Sequence, residues 1–407
     1  MNEPIAIVRL GHKGDGVAVD GTFIPYTVPG DVVRLGAGPK PRIDEILTAG
    51  PSRTDAACRH FGTCGGCTLQ HVAPDAYFSW KRDMISLALA QRGFESSMLE
   101  DVRAVGPGSR RRASFKARCA AGAVSIGYYE PQSHLLVDLQ ECPILVPALF
   151  DALPKIANGL MHLLSRRESV EFHVTSTDAG LDVSLKWKRA HGPDTYFELA
   201  EFAQELKLAR LSWNGETVAV AQTPYLRVGN HIVLLPVEPF LQPTSEGEAI
   251  LQSLVCEGVE GAIHVADLFA GCGTFTLALT DRCSVSAVEK NAAMATALEA
   301  AARERHSKVG VERRDLFGRP LLPSELSKFD VVILDPPRLG AKAQALQLAK
   351  SDIQRVVYVS CNPTSFARDA RILCDSGFRL RRVVPIDQFL WSAHVELVAF
   401  LERDKSL

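Results

Sequence analysis

Phe329-Asp330-Val331-Val332-Ile333-Leu334-Asp335-Pro336-Pro337-Arg338 and Val356-Val357-Tyr358-Val359-Ser360-Cys361-Asn362-Pro363 decide how this chain is organised. Each opens as a short apolar run, rich in β-branched residues and stopped by proline, the pattern of a buried strand. A helical run lies between them. In an open α/β sheet, ligands bind outside the carboxyl ends of the strands. Asp335 and Cys361 are therefore expected on one rim, one strand apart, as a reaction centre.

Working outward, strict β/α alternation from about residue 237 predicts a parallel, doubly wound sheet. Pro239-Phe240-Leu241-Gln242-Pro243-Thr244 leads into a helix over 245–256, with Thr244 or Ser245 as N-cap. His264 to Thr276 reads as strand, glycine turn and helix, and Val285 to Glu289 as a second strand ending in an acid. A glycine turn followed about 20 residues later by an acid suits a ribose diol. The pair fits a nucleoside cofactor, either a dinucleotide or S-adenosylmethionine. The spacing G-x-G-x-F departs from G-x-G-x-x-G and disfavours NAD. Asp315, after a third strand, is either an adenine contact or a surface aspartate. Near the C-terminus Val395, Leu397 and Ala399 alternate with His394 and Glu396, so the last two share one face of a strand. That face is either functional or simple surface.

Upstream, residues 1 to 50 read as short strands with glycine turns. They include a hairpin through Asp20-Gly21 and point to a small β-barrel. Cys58, Cys64 and Cys67 follow with the spacing C-x5-C-x2-C, and Cys142 is a fourth candidate in Glu141-Cys142-Pro143. Four thiolates suit zinc or an iron–sulfur cluster, and spacing does not choose between them. Arg110, Arg111, Arg112, Lys116 and Arg118 form the densest basic patch, read either as a solvated strand face or as a phosphate contact. Strands and helices over 124–236 predict an α+β region rich in antiparallel sheet.

The composition sets limits. The chain has 407 residues and a formal net charge of −2, so nucleic-acid binding rests on local patches. Apolar runs fall short of a membrane span, and the first residues carry no signal-peptide pattern. The expected compartment is the cytoplasm, where ten cysteines are not expected as structural disulfides.

Together these pieces resemble the uracil-5 RNA methyltransferase family along nearly the whole chain. The residues that carry the resemblance are Cys58-x5-Cys64-Gly-Gly-Cys67 with Cys142, Asp267-Leu-Phe-Ala-Gly-Cys-Gly-Thr-Phe275, Asp335-Pro-Pro-Arg338, Ser360-Cys361-Asn362-Pro363 and His394-Val395-Glu396. The resemblance implies a Rossmann-like class I methyltransferase domain at 237–407, a TRAM-like RNA-binding barrel at 1–50, and a central α+β domain at 51–236. It implies a 4Fe–4S cluster on Cys58, Cys64, Cys67 and Cys142. S-adenosylmethionine contacts are expected from Gln242, Phe269, Thr274, Glu289, Asp315 and Asp335. Cys361 is expected as nucleophile and Glu396 as general base. Thr274, Thr244 and Leu390 depart from residues common in the family, which bears on single contacts. The implied reaction is methylation of carbon 5 of a uridine in 23S rRNA; the sequence gives no handle on oligomeric state, and a monomer is the default expectation. Uridine 54 of tRNA is the alternative target, and a non-catalytic RNA-binding iron–sulfur protein the alternative class.

Overall fold

A computed structural model describes residues 3–38, 41–120, 122–189 and 192–403. Its largest sheet has the strand order Val309–Arg313, Ser284–Glu289, His264–Leu268, Val331–Leu334, Arg355–Ser360, Glu396–Arg403, Phe378–Asp387, Arg103–Ala104. The first five run parallel. Glu396–Arg403 runs antiparallel to both of its neighbours. The continuous apolar runs of the Val331 and Arg355 strands are explained by cover on both faces. Helix Ser245–Gly258 packs one face through Leu251, Leu254 and Val255. Helices Lys342–Leu348, Pro363–Cys374 and Pro74–Ala90 pack the other through Ala345, Phe366 and Ile85. Thr244 caps the Ser245 helix, its hydroxyl accepting from Gly247 N at 3.0 Å.

The expected helix after the glycine turn does not form. Left-handed Gly271 and Gly273 fold the chain tightly, Thr276 gives its hydroxyl to Asp267 at 2.5 Å, and only the 3₁₀ turn Leu277–Leu279 precedes the next strand.

The middle sheet is seven-stranded and antiparallel except where Gly180–Lys186 meets Arg210–Trp213. It holds its own core around Phe115, Phe172, Trp187 and Trp213. The N-terminal sheet has five antiparallel strands, Ile5–Leu10, Gly16–Ala18, Phe23–Ile24, Val32–Leu35 and Ile43–Thr48, around Ile7, Ile24 and Val33.

Packing does not follow chain order. Helix Pro74–Ala90 and strand Arg103–Ala104 belong to the large sheet, although the chain between them and that sheet builds the middle one. The hairpin of Tyr225–Val228 and His231–Leu234 shares a core with helix Ala292–Glu304 through Leu226, Val233 and Leu298. Among the described residues no helix is long and apolar enough to cross a membrane.

Candidate active site

Strand direction builds the site. Leu334 pairs in parallel with Tyr358, so the two strands end on the same edge and deliver Asp335 and Cys361 there. Ser360 pairs with Leu397 across an antiparallel ladder, which brings the start of the Glu396 strand to that edge too. His394 lies just before this strand and is exposed, whereas Glu396 is buried. All four line one groove of about 2180 Å³, together with Gln242, Phe269, Glu289 and Asp315. Thr274 is the exception among the sequence candidates. The left-handed turn at Gly271 and Gly273 carries it off the groove wall, and its carbonyl accepts from Gln252 Nε2 at 3.0 Å.

The electrostatics are those of crowded acids. Burial, then the nearby Asp335 carboxyl, pushes Glu396 up to about 8, against the pull of a hydrogen bond from Gln388. Burial and the Asp267 carboxyl raise Asp335 to about 7. Burial and the two acids Glu396 and Asp335 raise the Cys361 thiol to about 11, opposed by Arg338. Glu396 is enclosed, while Asp335 and Cys361 keep part of their surface open to the groove. Resting protonation therefore favours a neutral thiol and a neutral Glu396. A bound cation, or the closing of the groove by a substrate, would alter that balance.

The nucleoside-binding candidates are tied down without a ligand. Glu289 accepts from Gly271 N at 2.9 Å and from Asn291 N at 2.6 Å. Asp315 pairs with Lys290 at 2.7 Å and accepts from Phe317 N at 3.1 Å, which holds its carboxyl below the usual range. Phe269 sits at φ 67°, its ring 5.6 Å from that of Phe317.

Within the Arg110–Arg118 patch, Arg111 is buried, Arg110, Arg112 and Lys116 are half-buried and Arg118 is exposed. Arg111 pairs with Glu248 at 2.7 Å and donates to Gln242 O at 3.1 Å; Arg112 donates to Leu241 O at 2.6 Å. Lys116 pairs with Glu171. Arg111 and Arg112 clamp the segment that presents Gln242, and buried Arg111 is withdrawn as a phosphate contact. Their partners lie far along the chain, and charge clustering alone read as surface.

Cys58, Cys64, Cys67 and Cys142 are brought together. Burial raises each thiol, Cys67 to about 12, and Cys142 acts on each of the other three. The loop is fixed by Gly65 N to Tyr129 O at 3.0 Å, Cys58 N to Gln70 Oε1 at 3.0 Å, and the Arg59–Glu141 pair. A side chain at Gly65 would stand 2.6 Å from the Tyr129 carbonyl. His60 is engaged elsewhere, its Nε2 meeting Gln140 N at 3.0 Å. Among the described residues no three His, Cys, Asp or Glu groups gather as they would around one metal ion. The donor set fits thiolate chemistry, and a cation there would reverse the upward shift of the thiols.

Comparison with known proteins decides the family. A family model described as tRNA (uracil-5-)-methyltransferase matches residues 231–404. The chain is 41% identical to an uncharacterized RNA methyltransferase of Caulobacter vibrioides, over 98% of this chain and 100% of that one. It is 33% identical to the 23S rRNA (uracil(1939)-C(5))-methyltransferase RlmD of Halomonas elongata, over 99% of this chain and 90% of that one. The chain belongs to the RNA (uracil-5)-methyltransferase family. Its fold matches the crystal structure of Pyrococcus abyssi tRNA (uracil-54, C5)-methyltransferase in complex with S-adenosyl-L-homocysteine. That match has a TM-score of 0.76 and 25% identity, and covers 98% and 99% of the two chains.

The methyltransferase also has supporting residues that sequence reasoning missed. Loop 388–395, which leads to Glu396, is gripped from helix Pro74–Ala90. Lys81 donates to the carbonyls of His394 at 2.6 Å and Phe389 at 3.3 Å while pairing with buried Asp387. Tyr77 donates to Asp387 Oδ2 at 2.6 Å and accepts from Trp391 N at 2.8 Å. Thr68 N and Leu69 N, just past Cys67, donate to the Trp391 carbonyl at 2.9 and 3.2 Å. Gln388 donates to Gln242 Oε1 at 2.8 Å and Glu396 Oε2 at 3.2 Å. A lysine and a tyrosine on an amphipathic helix carry no sign of a partner some 300 positions away. A glutamine after a strand gives none either.

Proposed function

We propose that this methyltransferase modifies carbon 5 of a uridine in 23S rRNA, using S-adenosylmethionine and a covalent bond between Cys361 and carbon 6. The observation that carries the reading is the meeting of Cys361 and Glu396 on one edge of the groove, with Asp335 beside them. Carbon 5 of uracil is a weak nucleophile. Addition of the Cys361 thiolate to carbon 6 converts the ring to an enolate with electron density at carbon 5. S-adenosylmethionine supplies the methyl group that carbon 5 acquires. Glu396 in its charged form then takes the proton from carbon 5, and the electrons released expel Cys361. Glu289, Asp315, Phe269 and Gln242 are the residues that would hold the cofactor, with Asp335 orienting groups at the rim. Thr274 is the weakest of the six, since it lies off the groove.

The target base must leave its stack to reach this pocket. Arg9 of strand Ile5–Leu10 and His12 and Lys13 of the turn after it line the same groove, which supports a TRAM-like role in holding RNA by its backbone. We read the chain as a cytoplasmic monomer with units at 1–50, 51–236 and 237–407, the segment 74–105 being lent to the third. The ribosomal target is favoured by the Halomonas relative; the Pyrococcus structure keeps uridine 54 of tRNA as the second reading. A non-catalytic RNA-binding protein would have no use for an acid raised beside a cysteine.

Cys58, Cys64, Cys67 and Cys142 would hold a 4Fe–4S cluster. Four thiolates would also suit zinc, which is the second reading for these residues. Mass spectrometry of nucleosides from cells lacking the chain tests the function. Loss of 5-methyluridine from 23S rRNA, restored by wild type and not by Cys361→Ala, is expected. Loss from tRNA alone would move the target, and loss from neither would sink the reading.

A further inference from the structure

We propose that Gln388 is a positioning residue, which aligns Glu396 for proton removal from carbon 5 and fixes the amide of Gln242 toward the ligand. The inference rests on the reading of Glu396 as the base. Gln242, Gln388 and Glu396 are buried together at 3%, 2% and 4% exposure. One amide nitrogen, Gln388 Nε2, spans Gln242 Oε1 at 2.8 Å and Glu396 Oε2 at 3.2 Å. Both of its protons are committed, one to each acceptor. Gln242 uses its carbonyl end on Gln388 and so keeps its NH₂ end for the groove it lines.

The fold makes room for this bridge. A side chain at Gly247, in the first turn of the Ser245 helix, would stand 2.6 Å from Gln388 Oε1 and 2.8 Å from its Cβ. Gln388 Oε1 itself is buried with no hydrogen-bond partner among the described residues. A buried amide that leaves its oxygen unmatched is costly, so the contacts of its nitrogen offset a real penalty. Turning the amide over would set its oxygen against a carboxylate and a carbonyl.

The groups around Glu396 define what the bridge does. Asp335 approaches from one strand end and Cys361 from the next. Lys81 is spent on Asp387 and two carbonyls, and Arg338 meets His394 at the groove mouth at 3.2 Å. Among these described neighbours, Gln388 is the one that donates a hydrogen bond to Glu396. A donor favours the carboxylate, the form able to accept a proton. When that proton arrives from carbon 5, the C–H electrons form the carbon 5–carbon 6 double bond and the sulfur of Cys361 departs as thiolate.

The test uses the full-length enzyme, labelled methyl donor and RNA from cells lacking the chain. It follows two products from pH 6 to 9: labelled enzyme–RNA adduct that survives denaturant, and free 5-methyluridine. Gln388→Met should still form the adduct but release product roughly tenfold more slowly at neutral pH, with the acid limb moved up by about one unit. High pH should restore the rate, which a general packing defect would not allow. Gln388→Asn, too short to bridge, should behave alike and carries the test if the methionine variant fails to fold. Glu396→Gln runs alongside and should trap the labelled adduct. If Glu396→Gln traps and both Gln388 variants keep the wild-type limb without adduct, the Gln388 inference is overturned alone. If Glu396→Gln releases product at the normal rate, the base assignment falls and takes this inference with it.

Discussion

Lys81 and Asp387 form an ion pair in which neither side chain reaches solvent. Burial pulls Lys81 down and Asp387 pulls it back up. The pair joins helix Pro74–Ala90 to the end of strand Phe378–Asp387, and the same ammonium holds the carbonyls of Phe389 and His394. The approach to Glu396 is thus shaped by a charge from the other end of the chain.

Removing one partner of such a pair leaves the other buried and unpaired. Lys81→Met should cost about 3–5 kcal/mol of stability, read by urea unfolding. It should also slow product release more than cofactor binding, because loop 388–395 loses two anchors.

The buried acids predict an unusual pH dependence. Glu396 rises from 4.5 to about 8, and Asp267 from 3.8 to about 6 under burial. The folded state therefore holds protons that the unfolded chain has released. The contribution of these two acids to stability is fully present below about pH 4 and falls as pH rises, between 4 and 6 for Asp267 and between 4.5 and 8 for Glu396. Asp335 adds in the same direction, less so because it faces the groove. Glu396→Gln should be more stable than wild type at pH 8, by an amount on the order of 2–4 kcal/mol, and equal to it near pH 4. Thermal melts of the ligand-free variants across that range check the slope. Turnover should move the opposite way, rising with pH as Glu396 sheds its proton.

Glu289 accepts two backbone amides, one from the glycine turn. Glu289→Ala should weaken S-adenosylmethionine binding by roughly tenfold or more, measured by calorimetry. Glu289→Gln should lose less, since one oxygen remains to accept from Gly271 or Asn291.

On the proposed cluster assignment, Cys67→Ser should remove iron and acid-labile sulfide from the purified protein and abolish its visible absorbance. Because Thr68 and Leu69 carry the Trp391 carbonyl, the variant should also show faster amide exchange in loop 388–395. An iron-free wild type with normal exchange there would count against the cluster as a support.

Asp335 and Cys361 were legible because apolar strand, polar end and proline is a local pattern, and because strand ends in a parallel sheet share an edge. The glycine turn and Glu289 followed the same logic. Sequence periodicity reports conformation and not partners, which explains what it hid. Arg103–Ala104 is a strand of two residues with no alternation to detect, yet it closes the large sheet. Arg111 looked like surface because Glu248 is 137 positions away. The helix expected after Gly273 gives way to a left-handed glycine turn and one 3₁₀ turn, because Thr276 is tied back to Asp267, a partner that no local pattern reveals. Gln388 had no signal at all, since its meaning arises only when three chain segments meet.

The placement of residues 74–105 has a practical consequence. A fragment begun at residue 237 would lose an edge strand, a covering helix and the lysine that answers Asp387. Exchange of the front half between relatives would cut the same seam. The amino-terminal portion is not detachable equipment for finding RNA, because part of it is wall and foundation of the room in which the base is modified. Grafts that aim to redirect this enzyme to a new RNA should leave 74–105 with the catalytic half and exchange only what lies outside it.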